Sequence, residues 1–188
     1  MRTKIITLAI IAFIGCIQLS FSQKQTANAQ APKIPIDSAT NLITYKEIVK
    51  SSFNKTLLYR HTIEWISACF VNSQEATTTR DEANGIIEGK YRFKIYNYDK
   101  AGNKSESGII QYSFKIEIKD NKYRYTFTKY NIKANSYTPV EKWFDKNAQS
   151  YSPLYESYLT QIDVYTRDII AKLKKLMEKP EEQKKDNF

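Results

Sequence analysis

The sequence predicts an α+β fold in which one antiparallel sheet of four to five strands is covered on one face by two helices. Apolar and charged residues alternate along successive segments between Ile87 and Phe127, as in strands with one buried and one wet face. Two other segments, around Trp65 and around Ile162, repeat apolar residues every three to four positions, as in helices with one buried stripe. A strand-like segment ahead of the first helix completes the order β-α-β-meander-α, a two-layer sandwich.

A leader precedes the domain. Met1-Arg2-Thr3-Lys4 is basic, Ile5 to Leu19 is apolar or small apart from Thr7 and Gln18, and Ser20-Phe21-Ser22 supplies small residues where a signal peptidase reads. Residues 1–22 are expected to be a cleaved export signal, because the apolar run is shorter than the roughly 20 residues of a membrane-spanning helix. Gly15-Cys16 offers an alternative, lipid attachment at Cys16. Against it, Phe13 stands where leucine is usual, and Ile17 to Phe21 stays apolar where a lipidated chain carries a polar tether. The expected address is exported, periplasmic or secreted, with lipid anchoring at the envelope as the alternative. A membrane is a partner only if Cys16 is lipidated.

Residues 23–33 are polar and without period, a flexible linker, and the domain is expected over 34–179. Ile43 to Val49 is rich in strand-forming residues and follows a turn signal at Asp37 to Asn41. Lys55 to Val71 carries the stripe Leu58, Thr62, Trp65, Cys69, widened by Ile66 and Phe70. Ala76 to Asp81 reads as a short Thr-rich strand. From Ile87, Tyr91, Phe93 and Ile95 face the core while Glu88, Lys90, Arg92 and Lys94 face water.

After the turn at Asp99 to Asn103, Ile110, Tyr112, Phe114, Ile116 and Ile118 alternate with polar residues, and Asp120-Asn121 turns the chain into Tyr123, Tyr125 and Phe127. A two-residue loop sets the register Lys119 with Lys122, Ile118 with Tyr123, Ile116 with Tyr125 and Phe114 with Phe127. It also sets Glu117 opposite Arg124 on the wet face. Beyond Ile132 a turn-like stretch leads to a short helix within Pro139 to Asn147. Ser152-Pro153 then opens a last helix with the stripe Tyr155, Tyr158, Ile162, Tyr165, Ile169, Leu173, Leu176, ended by Pro180. Residues 180–188 form a charged tail.

The stretches Ile34-Pro-Ile-Asp37, Ile43-Thr-Tyr-Lys-Glu-Ile-Val49, the Trp65 helix, Glu82-Ala-Asn-Gly-Ile-Ile-Glu-Gly89 and Lys122-Tyr-Arg-Tyr-Thr-Phe127 resemble, in order and spacing, the exported bacterial domain of unknown function 4468. The resemblance covers about residues 34–132 and leaves 139–179 as a C-terminal helical extension. It implies a TBP-like fold in an exported protein. It implies no reaction and no catalytic residues, and the fold name does not imply DNA binding.

Cleavage after Ser22 leaves 166 of the 188 residues, enough for one domain with a proper core. Losing Arg2 and Lys4 lowers the net charge from +9 to +7. Outside the cytoplasm the natural counter-charges are anionic lipid head groups, lipopolysaccharide or wall polymers, so nucleic acid is not an expected partner. Only Cys69 remains as a thiol, so no internal disulfide staples the fold.

Catalytic chemistry has little to build on. His61 is the single histidine, which removes two-histidine metal motifs, and it sits at the edge of the helix stripe as a structural residue. Cys69 shares the stripe of Trp65 and reads as a buried thiol. The pairs Asp81-Glu82 and Glu181-Glu182 lie in a turn and in the tail, where carboxylates are solvated. With 5 Gly the chain has no phosphate loop, nucleophile elbow or calcium loop, and no catalytic residue, metal or cofactor is expected.

Two surfaces stand as candidates. With 14 Tyr, many on one sheet face, Tyr91, Tyr112, Tyr123 and Tyr125 are expected to line a pocket between sheet and helices that could hold an apolar ligand or glycan. The wet face carries Lys90, Arg92, Lys94, Lys115 and Arg124, suited to an anionic polymer or an acidic envelope protein. The expected function is a non-enzymatic binding or accessory module of the cell envelope. An envelope-polymer hydrolase using carboxylates, or a purely structural domain, are the alternatives.

Overall fold

Asn54 opens the first helix: its side-chain oxygen accepts the Leu57 N–H at 2.9 Å. The computed structural model describes residues 33–133 and 136–180. The predicted leader with Cys16, the linker apart from Lys33, and the tail beyond Pro180 lie outside the described residues.

The elements run β1 (Thr44–Lys50), α1 (Lys55–Cys69), α2 (Ser73–Ala76), β2 (Thr77–Asp81), β3 (Ile86–Tyr98), β4 (Lys104–Lys119), β5 (Lys122–Lys133), β6 (Tyr137–Pro139), a 3-10 turn (Val140–Phe144) and α3 (Leu154–Met177). The strands form one antiparallel sheet in the order β1-β5-β4-β3-β2, with β6 pairing the far end of β5 beyond β1. The sheet has six strands where four to five were expected. The additional one, β6, spans three residues in a stretch read as a turn, too short for alternation to mark it.

The β4–β5 hairpin has the expected register throughout, from Lys119 opposite Lys122 to Phe114 opposite Phe127. Asn121 takes the left-handed backbone (φ 62°) that a tight two-residue loop requires. The hairpin tip is clamped to the start of α1, because the Lys55 N–H donates to the Asp120 carboxylate at 2.8 Å and the Asn121 N–H to the Phe53 carbonyl at 3.0 Å. Further along, Lys129 (φ 58°) marks an irregularity in β5 that keeps Tyr130 on the core side.

Helices α1 and α3 pack together and cover one face of the sheet. Trp65 is fully buried, with Phe70, Phe114 and Phe127 around its ring at centroid distances of 5.2, 5.7 and 6.1 Å. The buried face of α3 comprises Tyr158, Leu159, Ile162, Asp163, Thr166, Ile169, Ile170, Leu173 and Met177, rotated slightly from the expected stripe so that Tyr155, Tyr165 and Leu176 lie at its margin. Two polar residues enter this core because each has a partner on the sheet. The Tyr45 hydroxyl donates to the Asp163 carboxylate at 2.8 Å, where Arg167 also donates at 2.9 Å, and the Tyr130 and Thr166 hydroxyls share a bond of 2.9 Å. The C-terminal helical segment is thus half of the covering layer. Among the described residues no helix is long and apolar enough to cross a membrane.

Candidate functional site

Alternation places Glu88, Lys90, Arg92 and Lys94 of β3, Lys115 and Glu117 of β4, and Arg124 of β5 on the sheet face away from the helices. Register then decides which charges meet. Lys115 lies opposite Glu88, and their charged atoms are 2.8 Å apart. Arg124 lies opposite Glu117 and donates through Nε (2.6 Å) and Nη2 (2.5 Å) in a two-pronged pair. Lys94 reaches Glu106 at 2.7 Å.

These pairings shift the groups in the directions they impose. The hydrogen bond from Arg124 holds the Glu117 carboxyl below its ordinary value, and the carboxylates of Glu106, Glu88 and Glu117 raise Lys94, Lys115 and Arg124 respectively. Three of the five expected cations are therefore matched. Lys90 and Arg92 are exposed and make no ion pair among the described residues.

These two cations border a cleft of about 630 Å³ that opens where β2 stops. Strand β2 pairs with β3 only from Ile86 to Gly89, while β3 continues to Tyr98. The chain preceding β2 supplies one wall (Val71, Asn72, Glu75, Ala76), and Lys90 to Lys94 supply the other. Gly89 permits the close approach of the two, since a Cβ there would sit 2.0 Å from the Ala76 carbonyl oxygen and 2.4 Å from the Phe114 ring. Tyr91 and Phe93 reach the cleft from the core side, backed by Phe70 (rings stacked at 4.3 Å) and Tyr165 (3.8 Å).

Neither of the two clefts described among these residues brings together the four tyrosines expected to line one pocket. Tyr91 alone borders the cleft, and its hydroxyl accepts the Val71 N–H at 3.1 Å. Tyr112, Tyr123 and Tyr125 are buried in the layer between sheet and helices. Tyr123 also flanks a second cleft of about 240 Å³ beside Phe53 and Met177. The Tyr125 hydroxyl donates to Glu47, which also binds Lys174 of α3 at 2.7 Å. Burial pushes all three phenols well above their usual range.

His61 is buried against the edge of the Phe53 ring, and Cys69 is half-buried with its thiol pushed up by that burial, which makes it a poor nucleophile. Asp81 binds Asn84 in its turn. Glu181 and Glu182 lie outside the described residues. Among the described residues no group of three His, Cys, Asp or Glu is placed to hold a metal. Of the cleft residues, sequence reasoning missed Val71, Glu75 and Phe93 as surface features. The length difference between the strand over 76–81 and the one starting at Ile87 was the available sign.

Fold and surface together define a two-layer α+β domain with one open sheet face and a cleft along a partly unpaired strand. Residues 45–133 match the family model of the domain of unknown function DUF4468 with TBP-like fold. A crystal structure of a TBP-like protein from Parabacteroides distasonis is similar at 13% identity and a TM-score of 0.62, over 79% of this chain and 99% of that one. A DUF4468 family protein from Bacteroides ovatus is similar at 12% identity and a TM-score of 0.61, over 80% and 94%. At such identities the likeness shows the fold, which is TBP-like. No curated protein matches the chain.

Proposed function

We propose that this chain is an exported cell-envelope domain that works by binding rather than catalysis, presenting its open sheet face and the β3 cleft to an anionic or acidic partner. The observation that carries this reading is Lys90 and Arg92, two exposed cations without carboxylate partners among the described residues, set beside a cleft with the aromatic rims of Tyr91 and Phe93. Export is supported by the basic, apolar and small-residue order of residues 1–22. If Cys16 carries a lipid, the same face works next to a bilayer. The non-catalytic part is supported by the state of the reactive side chains: a buried single histidine, a thiol raised by burial, and sheet carboxylates Glu88 and Glu117 each bound to a cation.

Crosslinking through lysine in cells that make the full chain, followed by mass spectrometry, tests it. The expected result is a recurrent partner joined at Lys90 or Lys94 and lost in the Lys90→Glu, Arg92→Glu double variant. A chain that crosslinks to nothing through this face, and a purified chain that retains no polyanion such as polyglutamate, would sink the proposal.

A further inference from the structure

Resting on that binding reading, we infer that the outer edge of β3 is a strand-addition site that takes a short acidic, extended segment of a partner protein. In an antiparallel strand, successive residues direct their main-chain N–H and C=O groups to opposite sides. The Ile118 N–H of β4 donates to the Gly85 carbonyl, so odd-numbered residues of this strand face β4 and even-numbered ones face outward. Tyr96 obeys the rule, since its outward N–H and C=O are both taken by the Gln161 side-chain amide of α3, at 2.9 and 2.8 Å. At the other end β2 pairs as far as Gly89. Between these two stops lie Arg92 and Lys94, whose outward main-chain groups have no partner among the described residues, and the cleft runs along them.

The opening suits a segment of about three to five residues at roughly 3.3 Å each. Its chemistry follows from the alternation already on β3. A strand laid there sets every second side chain beside Lys90, Arg92 and Lys94, and the others against Tyr91, Phe93 and the fully exposed Val71. Among the described residues the only carboxylate lining the cleft is Glu75, and Glu106 is already engaged by Lys94. The complementary segment therefore alternates acidic with apolar residues. A second copy of this chain is a poor occupant, because edge-to-edge pairing would set the three cations of one β3 against the same three of the other.

The test uses the full chain and a fluorescein-labelled acetyl-Glu-Val-Glu-Val-Glu-amide, read by fluorescence anisotropy. In antiparallel addition the residues whose carboxylates face the cations are also those whose N–H groups face β3. Methylating the Glu nitrogens is expected to weaken binding about tenfold or more, through lost hydrogen bonds and blocked approach, while methylating the Val nitrogens is not. Amide exchange at Arg92 and Lys94 is expected to slow when the peptide binds. If both methylated peptides bind as well as the parent, yet Lys90→Glu with Arg92→Glu abolishes binding, strand addition is overturned and the basic-face reading stands. If neither peptide nor polyglutamate binds the full chain, both readings fall. Peptide-competed dimerisation of the chain would also overturn the acidic-segment assignment.

Discussion

The indole N–H of Trp65 donates to the main-chain carbonyl of Ile169 at 3.1 Å, joining the helix inside the family-matched stretch to the helix that lies beyond it. Trp65→Phe removes this bond and part of a fully buried ring. A loss of about 1–3 kcal/mol is expected, against about 3–5 kcal/mol for Trp65→Ala. Urea titration followed by circular dichroism measures it, and Trp143 remains as a fluorescent reporter in both variants.

The buried tyrosines make the domain sensitive to alkali. Loss of solvent raises Tyr45, Tyr112, Tyr123, Tyr125 and Tyr130 well above the ordinary value of 10.0, and pushes Tyr165 up to about 12. Between the unfolded and folded values the folded state holds more protons, so rising pH favours unfolding. Stability is expected to be level up to about pH 9 and to fall steeply above about pH 10. Ultraviolet titration of tyrosinate should show a delayed, cooperative ionisation that coincides with loss of the circular dichroism signal. Gradual ionisation of these groups within an intact fold would refute the prediction.

Gly89→Ala tests the corner that makes the cleft. The new methyl would press on the Ala76 carbonyl and the Phe114 ring, so α2 and the start of β2 must move away from β3. A loss of about 1–3 kcal/mol is expected, with faster amide exchange across β2 than elsewhere in the sheet. A variant as stable as the parent would show that the corner has room.

Glu117 and Arg124 provide an acid-side counterpart on the open face. The pairing depresses the Glu117 carboxyl, so its stabilisation is present above the unfolded value and lost as pH falls through the lower folded one. Their side chains are 26% and 38% exposed, which limits the coupling to about 0.5–1 kcal/mol. A double-mutant cycle with Glu117→Gln and Arg124→Ala at pH 7 should return that figure, and at about pH 3 close to nothing.

Much of the architecture was legible because local rules agreed with one another. In the β4–β5 hairpin, alternation, the Asp120-Asn121 loop and the Glu117–Arg124 pair all demand one register, and that register forms. Strand β6 escaped notice because three residues cannot display a period. The left-handed Lys129 has no glycine to announce it. The site was less legible, since its features depend on residues distant in sequence. Nothing near Tyr125 or Tyr112 says that α3 packs over them, and Asp163 looks like a surface residue until Tyr45, 118 positions away, is placed against it. The basic face could be read from alternation, but its division into paired and unpaired cations required the cross-strand partners.

The amide of Gln161 acts as a chain terminator for the sheet. By meeting both main-chain groups of Tyr96, it imitates the next strand for the length of one residue and offers no further edge of its own. Growth of the sheet by stacking one molecule on another therefore meets a dead end there. What remains along Arg92 and Lys94 is a stretch of edge bounded at one end by Gln161 and at the other by β2.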